Sequence, residues 1–117
     1  MKLIYDLIND IKEELEGAKH YYRTAIYCKE KHSDISRKLI EIAKAELNHA
    51  NSIHQLIVDL ISQYKAKGKE PSEYMMKIYE CSHNEYIEEY DELNYRINKL
   101  SIWLNLKGIL QIKDIIK

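Results

Sequence analysis

Helical periodicity runs unbroken for about eight turns at the start of this chain, and little that follows can stop a helix. From residue 2 to residue 31 the apolar positions include Ile4, Leu7, Ile8, Ile11, Leu15, Ala18, Tyr21, Tyr22, Ala25, Ile26 and Cys28. Their spacing of three and four is that of one helix face, and no stretch alternates with period two for long enough to suggest a sheet. One Pro and three Gly in 117 residues leave few breakers. The first break is His32-Ser33-Asp34, where Ser33 or Asp34 can cap the next helix. The second runs from Lys65 to Pro71 through Gly68, and Ser72 can cap a third helix after it. The tail from Ser101 to Lys117 carries Ile102, Trp103, Leu104, Leu106, Ile109, Leu110, Ile112, Ile115 and Ile116, and Gly108 is expected to kink or end a helix there. The chain thus reads as one all-α domain over residues 1–117, an antiparallel bundle of three long helices (about 2–31, 34–65 and 72–100) plus a short C-terminal helix (102–116).

Composition narrows the function classes. The net charge is −1 with both signs interspersed, which argues against nucleic acid as a partner. No apolar run approaches the ~20 residues of a membrane-spanning helix, and the N-terminus turns acidic too early for a signal peptide. Cys28 and Cys81 are far apart and form no Cys-x-x-Cys motif, so a reduced, cytoplasmic setting is the expectation. The apolar tail needs a covering surface, either its own bundle, another subunit or a protein partner.

The chemistry concentrates in Glu46-Leu47-Asn48-His49. On a helix Glu46 and His49 point the same way from adjacent turns. The apolar seam Ile35, Leu39, Ile42, Ile53, Leu56, Leu60, continued at its own spacing, passes through both. A carboxylate and an imidazole then stand where packing calls for Leu or Ile, which is costly without a partner such as a metal ion. The first helix has one interruption in its own stripe of Leu7, Ile11, Ala18, Tyr21, Ala25 and Cys28, and it is Glu14. Reflection through the first break sets Glu14 within about one turn of Glu46 and His49.

Two carboxylates with one imidazole and no thiolate suit iron or manganese, with zinc next. Either a second chain completes the set about a two-fold axis, or the third helix adds a carboxylate, with Glu89 the candidate. Reflection through the second break sets His54 against His83, a possible further pair of ligands roughly two turns away. Tyr21 and Tyr90 are expected beside the site as hydrogen-bonding neighbours. Glu80-Cys81-Ser82-His83 repeats the Glu-x-x-His spacing, but only His83 lies in the third helix's seam, so that match reads as coincidence.

The run Glu14-Leu15-Glu16-Gly17-Ala18-Lys19-His20-Tyr21-Tyr22, then Ala25, then Glu46-Leu47-Asn48-His49, resembles the ferritin-like superfamily in its rubrerythrin-like and encapsulated-ferritin-like branches. The segment from Glu46 to His54, with His83, is also similar to small phage-associated ferritin-like proteins. The resemblance covers roughly residues 5–62. It implies a carboxylate-bridged di-iron centre that oxidises Fe(II) with oxygen or peroxide, and a homodimer or larger homo-oligomer whose subunits share the metal. The chain has no Cys-rich rubredoxin-like segment. The competing expectation is a helical interaction module with no metal, or with a structural metal clamping a dimer.

Overall fold

The computed structural model describes residues 2–69 and 71–116, with the backbone alone for 112–116. The tail residues Ile112, Ile115 and Ile116 therefore have side chains outside the described set, as does Glu70 of the second break. The described chain is three helices: α1 Lys2–Cys28, α2 Ser33–Ala66 and α3 Glu73–Ile116.

Their ends follow from local chemistry, with two corrections to the expected caps and boundaries. α1 ends at Cys28, three residues early, and the turn closes with the His32 N–H donating to the Cys28 carbonyl at 2.8 Å. Neither Ser33 nor Asp34 caps α2. The capping position falls to His32, which makes no side-chain hydrogen bond there. Asp34 instead lies in the first turn, where its charge favours the helix dipole, and pairs with Arg37 at 3.3 Å. At the other end Gly68 takes a positive φ of 72°, with its N–H donating to the Lys65 carbonyl and that of Lys69 to Tyr64. These crossed bonds satisfy carbonyls that the helix leaves open, and the left-handed step favours Gly. Ser72 caps α3 as expected, its Oγ accepting from the Met75 N–H at 3.1 Å.

No separate C-terminal helix exists among the described residues. α3 runs 44 residues without a break through Gly108. At 1.5 Å per residue that is about 66 Å, close to the 70 Å length of the whole molecule. A helical Gly costs only ~1 kcal/mol against Ala, and here its missing side chain is used. Arg37 reaches across from α2 to donate to the Leu104 carbonyl at 2.7 Å, and a Cβ at Gly108 would lie 2.8 Å from its Nη2. Lys107 closes the same end of the bundle by donating to the Glu30 carbonyl at 2.8 Å. Beyond this brace Ile109 and Leu110 are exposed.

α1 and α2 pack antiparallel along much of their length, while α3 lies against both more sparsely. Small residues explain the difference. Ala18, Ala25, Ala43 and Ala50 are fully buried, and buried Ser36 donates to the Ala25 carbonyl at 2.8 Å. Moving seven residues along each helix from that contact brings Ala18 level with Ala43, so two backbones approach with little between them. α3 contributes larger groups to the shared core, among them Tyr86, Leu93, Ile97, Leu100 and Leu104.

The buried stripe of α2 is displaced by one residue from the expected seam. It consists of Ser36, Ile40, Ala43, Leu47, Ala50, Ile57 and Ile61. Of the expected seam, Leu39, Ile53 and Leu60 are half-buried, while Ile35, Ile42 and Leu56 are about half exposed, at 52%, 42% and 52%. α2 therefore carries two apolar stripes side by side, and only one is covered. α1 behaves alike: Ile4, Ile8, Ile11, Leu15, Ala18 and Ala25 are buried, and Leu7, Glu14, Tyr21 and Cys28 are half-buried next to them.

Candidate functional site

Glu14, Glu46 and His49 come together on this second stripe. One ligand atom from each lies within 4.8 Å of the other two, and among the described residues no other group of three His, Cys, Asp or Glu side chains does so. The antiparallel α1–α2 pairing sets their level. The heptad-like stripes of the two helices set their direction. Gly17 makes the approach possible, because a Cβ there would lie 3.2 Å from Glu46 Oε2. Glu46 thus lies over bare backbone of α1, one turn from Glu14.

The electrostatics of the cluster are unbalanced. Glu14 Oε2 is buried and has no hydrogen-bond donor. His49 Nδ1 is 3.5 Å from it, outside hydrogen-bonding geometry, and the His49 ring is largely exposed. The Glu46 carboxyl is held above the usual carboxylate range, first because its acid form can donate to Glu14, then by burial and by the Glu14 charge, with His49 pulling the other way. Two carboxyls can share a hydrogen bond only if one keeps its proton. With both ionised, Glu14 Oε2 remains a buried acceptor with nothing to accept from. A cation answers both conditions at once, and two hard oxygens with one imidazole are a donor set for iron, manganese or zinc.

The remaining candidates lie elsewhere. Glu89 pairs with Lys19 at 3.2 Å, and Lys19 also reaches Glu16 at 3.4 Å, so Glu89 does not join the cluster. Nothing in the sequence marked Lys19 as its partner, because the contact crosses from α1 to α3. His54 and His83 do meet, as reflection through the second break predicts. His54 Nε2 and His83 Nδ1 share a hydrogen bond of 2.8 Å at the α2–α3 contact. With ring centroids 4.8 Å apart, a bond through ring nitrogens makes this an edge-to-edge pair rather than a face-to-face stack. Tyr21 and Tyr90 are half-buried against the core. Tyr21 stands edge-on to His20 and Tyr90 tilts against Tyr86, and among the described residues neither hydroxyl bonds to the cluster. Asn51 was not foreseen, and its Oδ1 accepts from the Tyr86 hydroxyl at 3.4 Å.

Burial, and next the His83 charge, push the His54 pKa below its ordinary 6.5. In the unfolded chain His54 takes up a proton near pH 6.5, while in the folded protein it resists until lower pH. The unfolded state binds more protons between those two values, so this contribution to stability is full above about pH 6.5 and is lost as pH falls below it. Between pH 7.5 and 5.5 the parent should therefore lose more stability to urea than His54→Gln does. Equal losses in both proteins would rule out His54 as the cause.

No model of a known protein family, no curated protein and no solved structure matches the chain. Among the described residues no helix is long and apolar enough to cross a membrane.

Proposed function

We propose that this chain is a ferritin-like metal-binding protein in which Glu14, Glu46 and His49 form half of a di-metal centre. The observation that carries the reading is the buried, donorless Glu14 Oε2 beside a second carboxyl and an imidazole. The half-covered stripe around it supplies the other half. Leu7, Tyr21 and Cys28 of α1 flank Glu14, and Ile35, Ile42 and Leu56 of α2 flank His49 at intervals of seven. A two-helix face of this kind, placed on its own copy about a two-fold axis, makes a four-helix bundle and brings together four Glu and two His. Iron is the metal that the donor set favours, with manganese or zinc as substitutes. Bound iron would supply electron transfer, Fe(II) passing to Fe(III) with oxygen or peroxide as acceptor. The protein's own part is to hold the ions, exclude bulk water with the apolar flanks, and take or release the Glu46 proton as the charge changes.

Metal content of protein purified without chelator tests this directly. About one iron per chain is expected in the parent, and at least a tenfold loss in Glu46→Ala and His49→Ala. Ile42→Arg should disperse the dimer in sedimentation and release the metal with it. Undiminished metal in the ligand variants, or a parent that is monomeric with its full metal complement, would overturn the shared centre. A parent that holds metal yet consumes no oxygen on addition of Fe(II) would instead be a structural clamp. The exposed Ile102, Leu106, Ile109 and Leu110 of α3 support a second reading, an interaction module that docks a protein partner along this helix.

A further inference from the structure

The three helices leave an open cavity of about 290 Å³ toward the other end of the bundle from Trp103 and the Lys107 brace. Its two sides differ in chemistry. Ile8, Ile11 and Leu15 of α1 form an aliphatic side. Along the other run four rings, Tyr79, His83, His54 and Tyr86, each turned from the next by only 29°, 23° and 16°. The two imidazoles in the middle lie edge to edge through their hydrogen bond. Centroid separations of 5.6 Å for Tyr79–His83 and 5.0 Å for His54–Tyr86 make those two pairs offset stacks, so the row is a stepped aromatic side across from the aliphatic one, a cavity suited to a small ring.

The lining also has a charge preference. Glu16, Glu85 and Glu89 stand among the lining residues against the single cation Lys12. Lys19, outside the lining, holds Glu16 and Glu89. Glu85 has no cationic partner among the described residues, and its one polar contact is the Cys81 thiol at 3.9 Å. His54 stays neutral at neutral pH, so it adds no repulsion for a positive ligand. An anionic ligand would meet the unpaired Glu85 carboxylate, whereas a cation meets that carboxylate and aromatic rings together.

We propose that this cavity binds a small planar aromatic cation, its ring packed between the aromatic and aliphatic sides and its charge turned toward Glu85. The site is independent of the Glu14–Glu46–His49 cluster and needs no metal.

Benzamidine, benzamide and benzoate share one shape and differ in charge, which makes them suitable probes by calorimetry and by shifts of the His54 and His83 ring signals. Benzamidine should bind about tenfold more tightly than benzamide, and benzoate more weakly than either. Glu85→Gln, a change at an exposed position that leaves the core untouched, should remove most of the benzamidine advantage and leave benzamide unchanged. Tyr79→Leu should weaken benzamidine and benzamide alike. Benzoate binding as well as benzamidine, a benzamidine affinity indifferent to Glu85→Gln, or no binding at millimolar concentration would each overturn the assignment.

Discussion

Glu46→Gln is expected to raise the melting temperature of the metal-free protein and, in the same variant, to abolish the further rise that Fe(II) or Mn(II) gives the parent. Both effects come from one pair of carboxyls. In the parent at neutral pH, ionising Glu46 places a negative charge beside Glu14 and leaves Glu14 Oε2 buried without a donor. An amide at position 46 removes the like charge and supplies an N–H. A recovered hydrogen bond at a half-buried site contributes about 0.5–1 kcal/mol, or roughly 2–6 °C for a domain of this size. The loss on the metal side is larger. A metal at a hundred times its dissociation constant stabilises the parent by about 2.7 kcal/mol, and the variant gains none of this if the carboxylate is a ligand. His49→Ala separates the two effects, because the exposed imidazole contributes little to the metal-free fold while its removal still takes away a ligand. A metal-free Glu46→Gln protein less stable than the parent would show that Glu46 serves the fold. A variant that kept the full metal-induced rise would remove Glu46 from the site.

Much of this arrangement was legible in the sequence, for reasons that also explain what was not. The three helices and their two breaks follow from periodicity and from Gly68, Pro71 and Ser72, whose effects are local. Glu14, Glu46 and His49 could be brought together on paper because short turns make neighbouring helices antiparallel, so reflection finds levels, and His54 with His83 followed by the same operation. Three things depended on contacts between helices. α3 runs on through Gly108, whose missing side chain leaves room for Arg37 of α2, a contact that no property of residues 102–116 discloses. Glu89 is taken by Lys19 of α1. The stripe of α2 that enters the core was offset by one, since both candidate stripes are apolar at the same spacing. What decides between them is the complementary surface of α1, where Ala18 and Ala25 accept Ala43 and Ser36 closely. That offset changes the meaning of the site. A cluster inside the core would be a buried polar network, whereas a cluster on the uncovered neighbouring stripe has a face that a second molecule can complete.

Residues on the two neighbouring stripes of α2 should therefore respond differently to truncation, and Leu47→Ala has the largest expected effect on stability. Leu47 is 2% exposed at the middle of the α1–α2 contact. Removing its branched end there leaves a cavity flanked by fully buried Ala43 and Ala50, whose short side chains cannot move in to fill it. Such truncations cost about 2–5 kcal/mol, a large share of the ~5–15 kcal/mol that holds a domain folded. Ile42→Ala, on the uncovered stripe, should cost under ~1 kcal/mol to the isolated chain. Urea midpoints measured across a wide range of protein concentration distinguish the two. The Leu47→Ala loss belongs to the single chain and should persist at every concentration. The Ile42→Ala loss should appear only where the parent is associated, because there the side chain is buried against a second copy. The reverse order, with Ile42→Ala severe at all concentrations and Leu47→Ala mild, would mean that the seam through Glu46 and His49 is the true core, and the candidate centre would then be a network closed within one chain.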